Sequence, residues 1–257
     1  DRFLRFVSAV LPTLGESRIT QTTFDRHLGS SHPAGSDPRW LDVLDRLEAS
    51  LPQPTTVRSS GRWIPEDEIA ALCERVLALS VPWRERRKIF LGRVASQLEI
   101  NAKEATRVGG AVMPAVSTTA AWKRITSKAS LEALGAPDDL IDAWLGPRGR
   151  DKPSDGALLD EVKARFEGVT TRYAHVVVDE AQDLTLFQLR AVMRRSDGLT
   201  LVGDDAQRSV AAGLGLRKVA EMLGTPLEQM DIAYRMSAEI ADWLNAHAER
   251  NGIDLPA

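Results

Sequence analysis

The chain has 257 residues, enough for one large domain or two smaller ones with a substantial core. At 43% hydrophobic and 27% charged residues it is not a disordered chain, and a net charge of −3 gives no global pull toward nucleic acid or an anionic membrane. The single cysteine, Cys73, excludes an internal disulfide framework and fits a reducing cytosol, where it reads as a small buried hydrophobe. No run of about 18 apolar residues is present to span a membrane, so a cytoplasmic location is expected. The opening Asp1-Arg-Phe-Leu carries neither an initiator methionine nor a signal-peptide pattern, and the expectation is a piece of a longer protein.

From Phe3 to Leu11, Phe3, Phe6, Val7, Val10 and Leu11 share one helical face, which Pro12 and Gly15 end. Arg18 to Phe24 is rich in β-formers and predicts a strand. Ser30 to Asp37 is a loop by its Ser, Gly and Pro content. Helices are then expected from Asp37-Pro38 to Leu51, from Pro65 with Ile69, Leu72, Val76 and Leu79, and from Pro82-Trp83 as far as Val108. Between the first two, Pro52 to Gly61 is a linker in which Thr55 to Arg58 can form a short strand. Gly109 to Pro114 breaks the pattern, and helices follow at Thr118 to Leu134 and Pro137 to Leu145. Gly146 to Pro153 is a second linker, and Asp155 leads a helix to Phe166.

His175 to Val178 is a β-branched run of buried-strand length ending in Asp179, Glu180 and Asp183. A helix is expected from Leu184 to Arg195, then a second apolar strand from Gly198 that stops at Gly203-Asp204, with Gln207 one helical turn on. Leu227 to Ala233 reads as a third strand and Ser237 to Glu249 as a helix with Ile240, Trp243 and Leu244 on one face. In open parallel sheets chemistry sits beyond the carboxyl ends of the strands. A carboxylate there can hold Mg²⁺ beside phosphates, and its neighbour can take a proton from water. The plainer reading is that Asp179 and Glu180 only cap the helix near Leu184.

The motifs carry a resemblance. Asp179-Glu-Ala-Gln-Asp183 resembles the Walker B box of UvrD/Rep-like superfamily 1 helicases, Gly203-Asp-Asp-Ala-Gln207 their motif III, and Tyr234-Arg235 their motif IV. "DGALLDEV" followed by "YAHVVVDEAQDLTLFQLRAVMRR", with "VLPTLGE" and "ITQTTF" earlier, is most similar to the RNA polymerase-associated HelD-like branch. The resemblance implies an α/β fold: a partial parallel-sheet P-loop NTPase (RecA-like) core, residues 1–29 and 154–257, holding a mostly α-helical insertion at 30–153. It implies ATP and Mg²⁺ as cofactors. Asp179 would hold the ion through water, Glu180 polarise the attacking water, and Gln182 orient that water or sense the γ-phosphate. Gln207 would report phosphate loss, Asp204 would lie at the nucleotide site, and Arg235 would stabilise the transferring phosphoryl group. Taken alone, Arg235 reads rather as a surface ion pair with Glu239 at i+4, and Asp183 and Asp204 as structural or coupling residues. Thr23 and Phe24 fall where related helicases touch the nucleic-acid strand, although Asp25 stands in place of the family's histidine.

Two departures shape the expected function. No lysine follows a glycine, so the Walker A loop G-x-x-x-x-G-K-[ST] is missing and is expected before Asp1, with the second core domain beyond Ala257; this stretch alone should not hydrolyse ATP. After Gln207, Val210 and Ala212 stand where repair helicases place aromatics that stack on bases. The resemblance therefore implies an ATP-dependent motor that binds and recycles bacterial RNA polymerase, with weak DNA or RNA binding. A 3′-to-5′ DNA-repair helicase and a non-enzymatic partner-binding module are the alternatives. The basic run Arg84-Glu-Arg-Arg-Lys88, with Arg93, Lys103 and Arg107, is either a contact for nucleic acid or an acidic partner surface, or, more commonly for such a run, a solvated helix face.

Overall fold

The computed structural model describes residues 19–149, 151, 153–229 and 238–252 of a mixed α/β chain. It divides into two compact units: Asp1–Tyr173 with Leu186–Asp197, and Ala174–Thr185 with Gly198–Ala257.

The first unit is helical. Among the described residues its first element is α1 (Phe24–His27), where the residue pattern over 18–24 predicts a strand. Thr23 is extended and its hydroxyl accepts the Arg26 N–H at 3.3 Å, so it caps the helix, and that bond prevails over the β-propensity of the run. After a 3₁₀ turn at Pro33–Ser36 come α2 (Trp40–Ala49), β1 (Val57–Ser59), β2 (Arg62–Ile64), α3 (Glu66–Leu77), α4 (Trp83–Leu98) and α5 (Ala102–Gly109). The helix expected to run on to Val108 breaks because Glu99 takes the left-handed conformation (φ 52°) and Asn101 then caps α5, accepting the Glu104 N–H at 3.0 Å. β1 and β2 form an antiparallel hairpin pairing Val57 with Ile64 and Ser59 with Arg62, turned by Ser60-Gly61 with φ of 51° and 79°. The expected helix Thr118 to Leu134 is likewise two, α6 (Thr118–Ile125) and α7 (Lys128–Ala133). The Thr126 hydroxyl turns back to the Trp122 carbonyl at 3.0 Å, and Ser127 is extended. α8 (Asp138–Leu145), α9 (Gly156–Phe166) and α10 (Leu186–Met193) complete the unit.

Its core is organised on tryptophans. Trp40 and Trp122 both meet Trp144 edge-on, with centroids 5.1 and 5.9 Å away, and His32 does so at 4.9 Å. The buried indoles are satisfied: Trp40 donates to Ala34 O, Trp83 to Pro114 O and Trp144 to Ile125 O, at 2.8 to 2.9 Å.

The segment entering the helical block meets the segment leaving it. Gly156 N–H donates to Ser30 O at 2.7 Å, and the Ser30 hydroxyl lies 3.2 Å from that of Ser154. Buried Asp155 caps α9 by accepting the Leu158 N–H at 2.7 Å, and its other oxygen accepts the His32 N–H at 2.8 Å. A Cβ on Gly156 would stand 2.0 Å from Leu28 O, so only glycine permits this approach.

α9 and α10 are joined by charge. Buried Glu161 accepts from Arg165 Nε at 3.0 Å, from both Nε and Nη2 of Arg190 at 2.9 Å, and from Arg194 Nη1. Asp160 takes Arg194 Nη2 at 2.8 Å and Arg195 Nη1 at 2.9 Å. Arg165 reaches on to Glu48, whose other oxygen pairs with Arg86.

The second unit carries all but the first residues of β3 (Tyr173–Val178) and β4 (Ser196–Leu201), a two-stranded parallel sheet, then α11 (Leu216–Leu223) and α12 (Ala238–Asn251). Parallel pairing shows in the ladder: Tyr173 N–H to Arg195 O at one end, Val202 N–H to Val178 O at the other. β3 is not the buried strand expected. Val178 is buried, but Val177 is 68% exposed, because two strands cannot cover both faces of a sheet. Leu227 to Gln229 show no regular structure, and the rest of the third strand, the Phe3–Leu11 helix and Lys152 lie outside the described residues. No described helix is long and apolar enough to cross a membrane.

Candidate functional site

Both parallel strands run out at the same edge. The ladder continues past their ends, since Ala181 N–H donates to Val202 O at 2.9 Å, and the turns after β3 and β4 are thereby set side by side. After β3 the chain passes through Asp179 to Glu180, which stands in the left-handed region at φ 54°, ψ 40°. A glutamate held there costs roughly 1–3 kcal/mol, a strain that clusters at functional turns. The 3₁₀ turn Ala181–Asp183 follows, then extended Leu184, buried and accepting the Leu214 N–H at 2.8 Å. That pairing is why α10 starts at Leu186 and not at Leu184. The two acids bond within their own turn: Asp179 Oδ1 accepts the Glu180 N–H at 3.0 Å, and Glu180 Oε2 accepts from Gln182 Nε2 at 2.7 Å.

Gln182 has no exposed surface at all. Its amide nitrogen is spent on Glu180, and its Oε1 accepts the Asp204 N–H from the turn after β4 at 3.0 Å. A Cβ on Gly203 would lie 2.0 Å from that Oε1, so glycine is what lets the second turn reach the amide. Asp204 is itself a cap: Oδ1 accepts the Ala206 N–H at 2.9 Å, and Oδ2 accepts from Gln207 Nε2 at 2.8 Å. Gln207 is exposed, as are Asp179 and Glu180.

Asp183 turns the other way and gathers the loop beyond. It accepts the Ser209 hydroxyl at 2.5 Å, the Ser209 N–H at 2.8 Å and the Val210 N–H at 3.0 Å. The Ser209 hydroxyl, then the backbone donors, hold its carboxyl below the ordinary carboxylate range. Asp205 accepts the Leu216 N–H at 2.6 Å at the start of α11. Ser209 carries no motif signal, and Asp205, inside the Gly203–Gln207 motif, has no role implied for it; Gly203, immediately before an acid, is the supporting residue that sequence context could have revealed.

The strand-end residues Asp179, Glu180, Gln182, Asp204 and Gln207 are thus brought into one chain of contacts. Tyr234 and Arg235 lie outside the described residues. Thr23 caps α1, and Phe24 is half-buried beside it, in the other unit. No group of three or more His, Cys, Asp or Glu able to cage a metal occurs among the described residues. That does not disfavour Mg²⁺, which keeps much of its water and needs one or two carboxylates; exposed Asp179 at a strand end fits such an ion. Much of the basic run is spoken for, with Arg86 on Glu48, Arg87 on Met113 O, Lys88 near Glu85 and Arg107 near Glu104.

No protein-family model matches the chain, and no curated protein matches it.

Proposed function

We propose that the chain is part of a superfamily 1 helicase-like ATPase of the polymerase-associated kind, with β3 and β4 as two strands of a RecA-like nucleotide-binding core. The observation that carries this reading is the shared edge. Two parallel strands deliver Asp179-Glu180 and Gly203-Asp204 side by side, and Gln182 ties the two turns together. In this reading Asp179 holds Mg²⁺ through water, and the ion, when bound, neutralises charge on the nucleotide's phosphates. Glu180 would polarise the attacking water and accept its proton as the water oxygen bonds to the γ-phosphorus and the bond from that phosphorus to the β–γ bridging oxygen breaks, releasing ADP and phosphate. Gln207 reports loss of the phosphate, and Arg235 stabilises charge on the phosphoryl group. A phosphate loop from the same polypeptide, outside residues 1–257, completes the site.

RNA polymerase is the proposed partner, in the cytoplasm. Supporting this, Val210, Ala211 and Ala212 are exposed on the loop that Asp183 secures, so no aromatic is offered there for base stacking. Phosphate contacts alone bind weakly and are sensitive to salt. Recovery of core RNA polymerase on the immobilised full-length protein, beside fluorescence anisotropy with a single-stranded oligonucleotide at physiological salt, compares the partners directly. Polymerase bound and the oligonucleotide free is the expected result. Tight, salt-resistant oligonucleotide binding with no polymerase retained would instead favour the repair helicase.

A further inference from the structure

The β1–β2 hairpin shows a large aromatic that the core does not use. In the helical unit Trp40, Trp83 and Trp144 are buried and Trp122 packs against the core, whereas Trp63 is 61% exposed. The pairing explains why. Val57 and Ile64, opposite each other, are 2% and 3% exposed and seat the inner face of the hairpin on the core. Ser59, also on that face, donates its hydroxyl to Glu104 of α5. Side chains alternate along a strand, so the intervening pair, Arg58 opposite Trp63, is turned outward. With Ser60, Gly61 and Arg62 this pair lines an open hollow of about 420 Å³. The hairpin is anchored from beneath and holds an indole and a guanidinium on a fixed frame.

Charge decides what this face accepts. Arg62 is paired with Glu99 at 2.6 Å, and Arg107 with Glu104 at 3.5 Å, whereas Arg58 has no ion-pair partner among the described residues. Directly after β2 the first turn of α3 exposes Glu66, Asp67 and Glu68. A nucleic-acid strand laid here would gain one free guanidinium and set its phosphates against three carboxylates. A protein can instead place a carboxylate on Arg58 and cations on the acids. Tryptophan and arginine are also the side chains that most often carry interface energy, the aromatic by filling a pocket on the partner. We propose that the outward face of the β1–β2 hairpin is a docking surface for a protein. Trp63 enters an apolar pocket, Arg58 meets a carboxylate at its rim, and the acids of α3 face basic residues. The occupant is core RNA polymerase, an assignment that rests on the function proposed above.

The test is the affinity of the full-length protein for core RNA polymerase, measured by surface plasmon resonance for the wild type, Trp63→Ala and Arg58→Glu. Trp63→Ala should weaken binding about 30-fold, the loss expected of an aromatic at the centre of an interface. Arg58→Glu should weaken it about 10-fold, since it sets like charges together. Both side chains are exposed, so the unfolding midpoints should match the wild type. Anisotropy with a fluorescein-labelled single-stranded oligonucleotide at low salt should give the same affinity for Trp63→Ala and the wild type. Polymerase affinity undiminished in Trp63→Ala would overturn the docking surface and leave the polymerase reading standing. A wild-type protein that retains no polymerase would overturn both. Weaker oligonucleotide binding in Trp63→Ala, with polymerase affinity kept, would make the hairpin a stacking surface for nucleic acid instead. If Trp63→Ala loses its fold, Arg58→Glu decides on the same terms.

Discussion

Gly203 and Gly156 show how single residues without side chains set the architecture. Each lets a backbone or amide oxygen come within 2.0 Å of where a Cβ would stand, so alanine must push its neighbour away. For Gly203→Ala the neighbour is Gln182 Oε1, and a core overpacked in this way loses about 1–3 kcal/mol. The predicted result is a lower unfolding midpoint together with faster hydrogen exchange at the Asp204 amide, which loses its acceptor. Gly92→Ala, where a Cβ meets nothing within 4 Å and φ is not positive, is the control for adding a methyl group without a clash. Exchange at Asp204 unchanged in Gly203→Ala would show that the Gln182 contact is not what holds this turn.

At the scale of elements, the bond between α9 and α10 is ionic where most of the unit is apolar. Burial alone would raise the Glu161 pKa, but the Arg190, Arg194 and Arg165 guanidinium groups outweigh it and hold the carboxyl down to about 2, against an ordinary 4.5. Asp160 is lowered in the same sense: burial opposes, and Arg195 and Arg194 prevail. A depressed folded-state pKa gives stability that is complete above the unfolded value and is lost as pH falls through the folded one. The Glu161 contribution, about 3 kcal/mol from its shift, should therefore be intact above pH 4.5 and fade toward pH 2. Chemical denaturation across that range should find Glu161→Gln less stable than the wild type at pH 7, with the gap closing in acid. A gap independent of pH would assign the loss to packing alone.

Elements whose signals are local were legible in the sequence. The α3 start at Pro65 with its acids, the α9 cap at Asp155 and the β3 end just before Asp179 fell where the residues pointed, whereas β4 runs from Ser196 to Leu201 and stops two residues short of Gly203. What failed depended on competition between local bonds. Thr23 could pair in a strand or cap a helix, and it caps; Glu99 looked like one more helical residue until its backbone turned left-handed. The second hairpin strand, Arg62–Ile64, was hidden because Trp63 points outward at 61% exposure and breaks the expected burial pattern. At the site the acids were readable, but the use of Gln182 was not. Which atoms an amide satisfies depends on how close the neighbouring turn comes, and Gly203 decides that.

For the whole molecule, the two units divide the work unequally. The helical unit holds the tryptophan core and the charge network, whereas the strand-end acids and amides belong to the other. In that unit Val177 on β3 and Val202 just after β4 are exposed, and Trp243 on α12 is 59% exposed as well. Everything proposed for the chain turns on whether the edge shared by β3 and β4 hydrolyses a nucleotide. Steady-state MgATP turnover in the full-length protein carrying Glu180→Gln, with nucleotide affinity measured on the same preparation, decides it. Turnover should be abolished and affinity for MgATP largely retained, because the exchange removes the proton acceptor and keeps the Gln182 contact. Turnover near the wild-type rate would contradict the assignment of Glu180 and, with it, the shared edge as the site of hydrolysis.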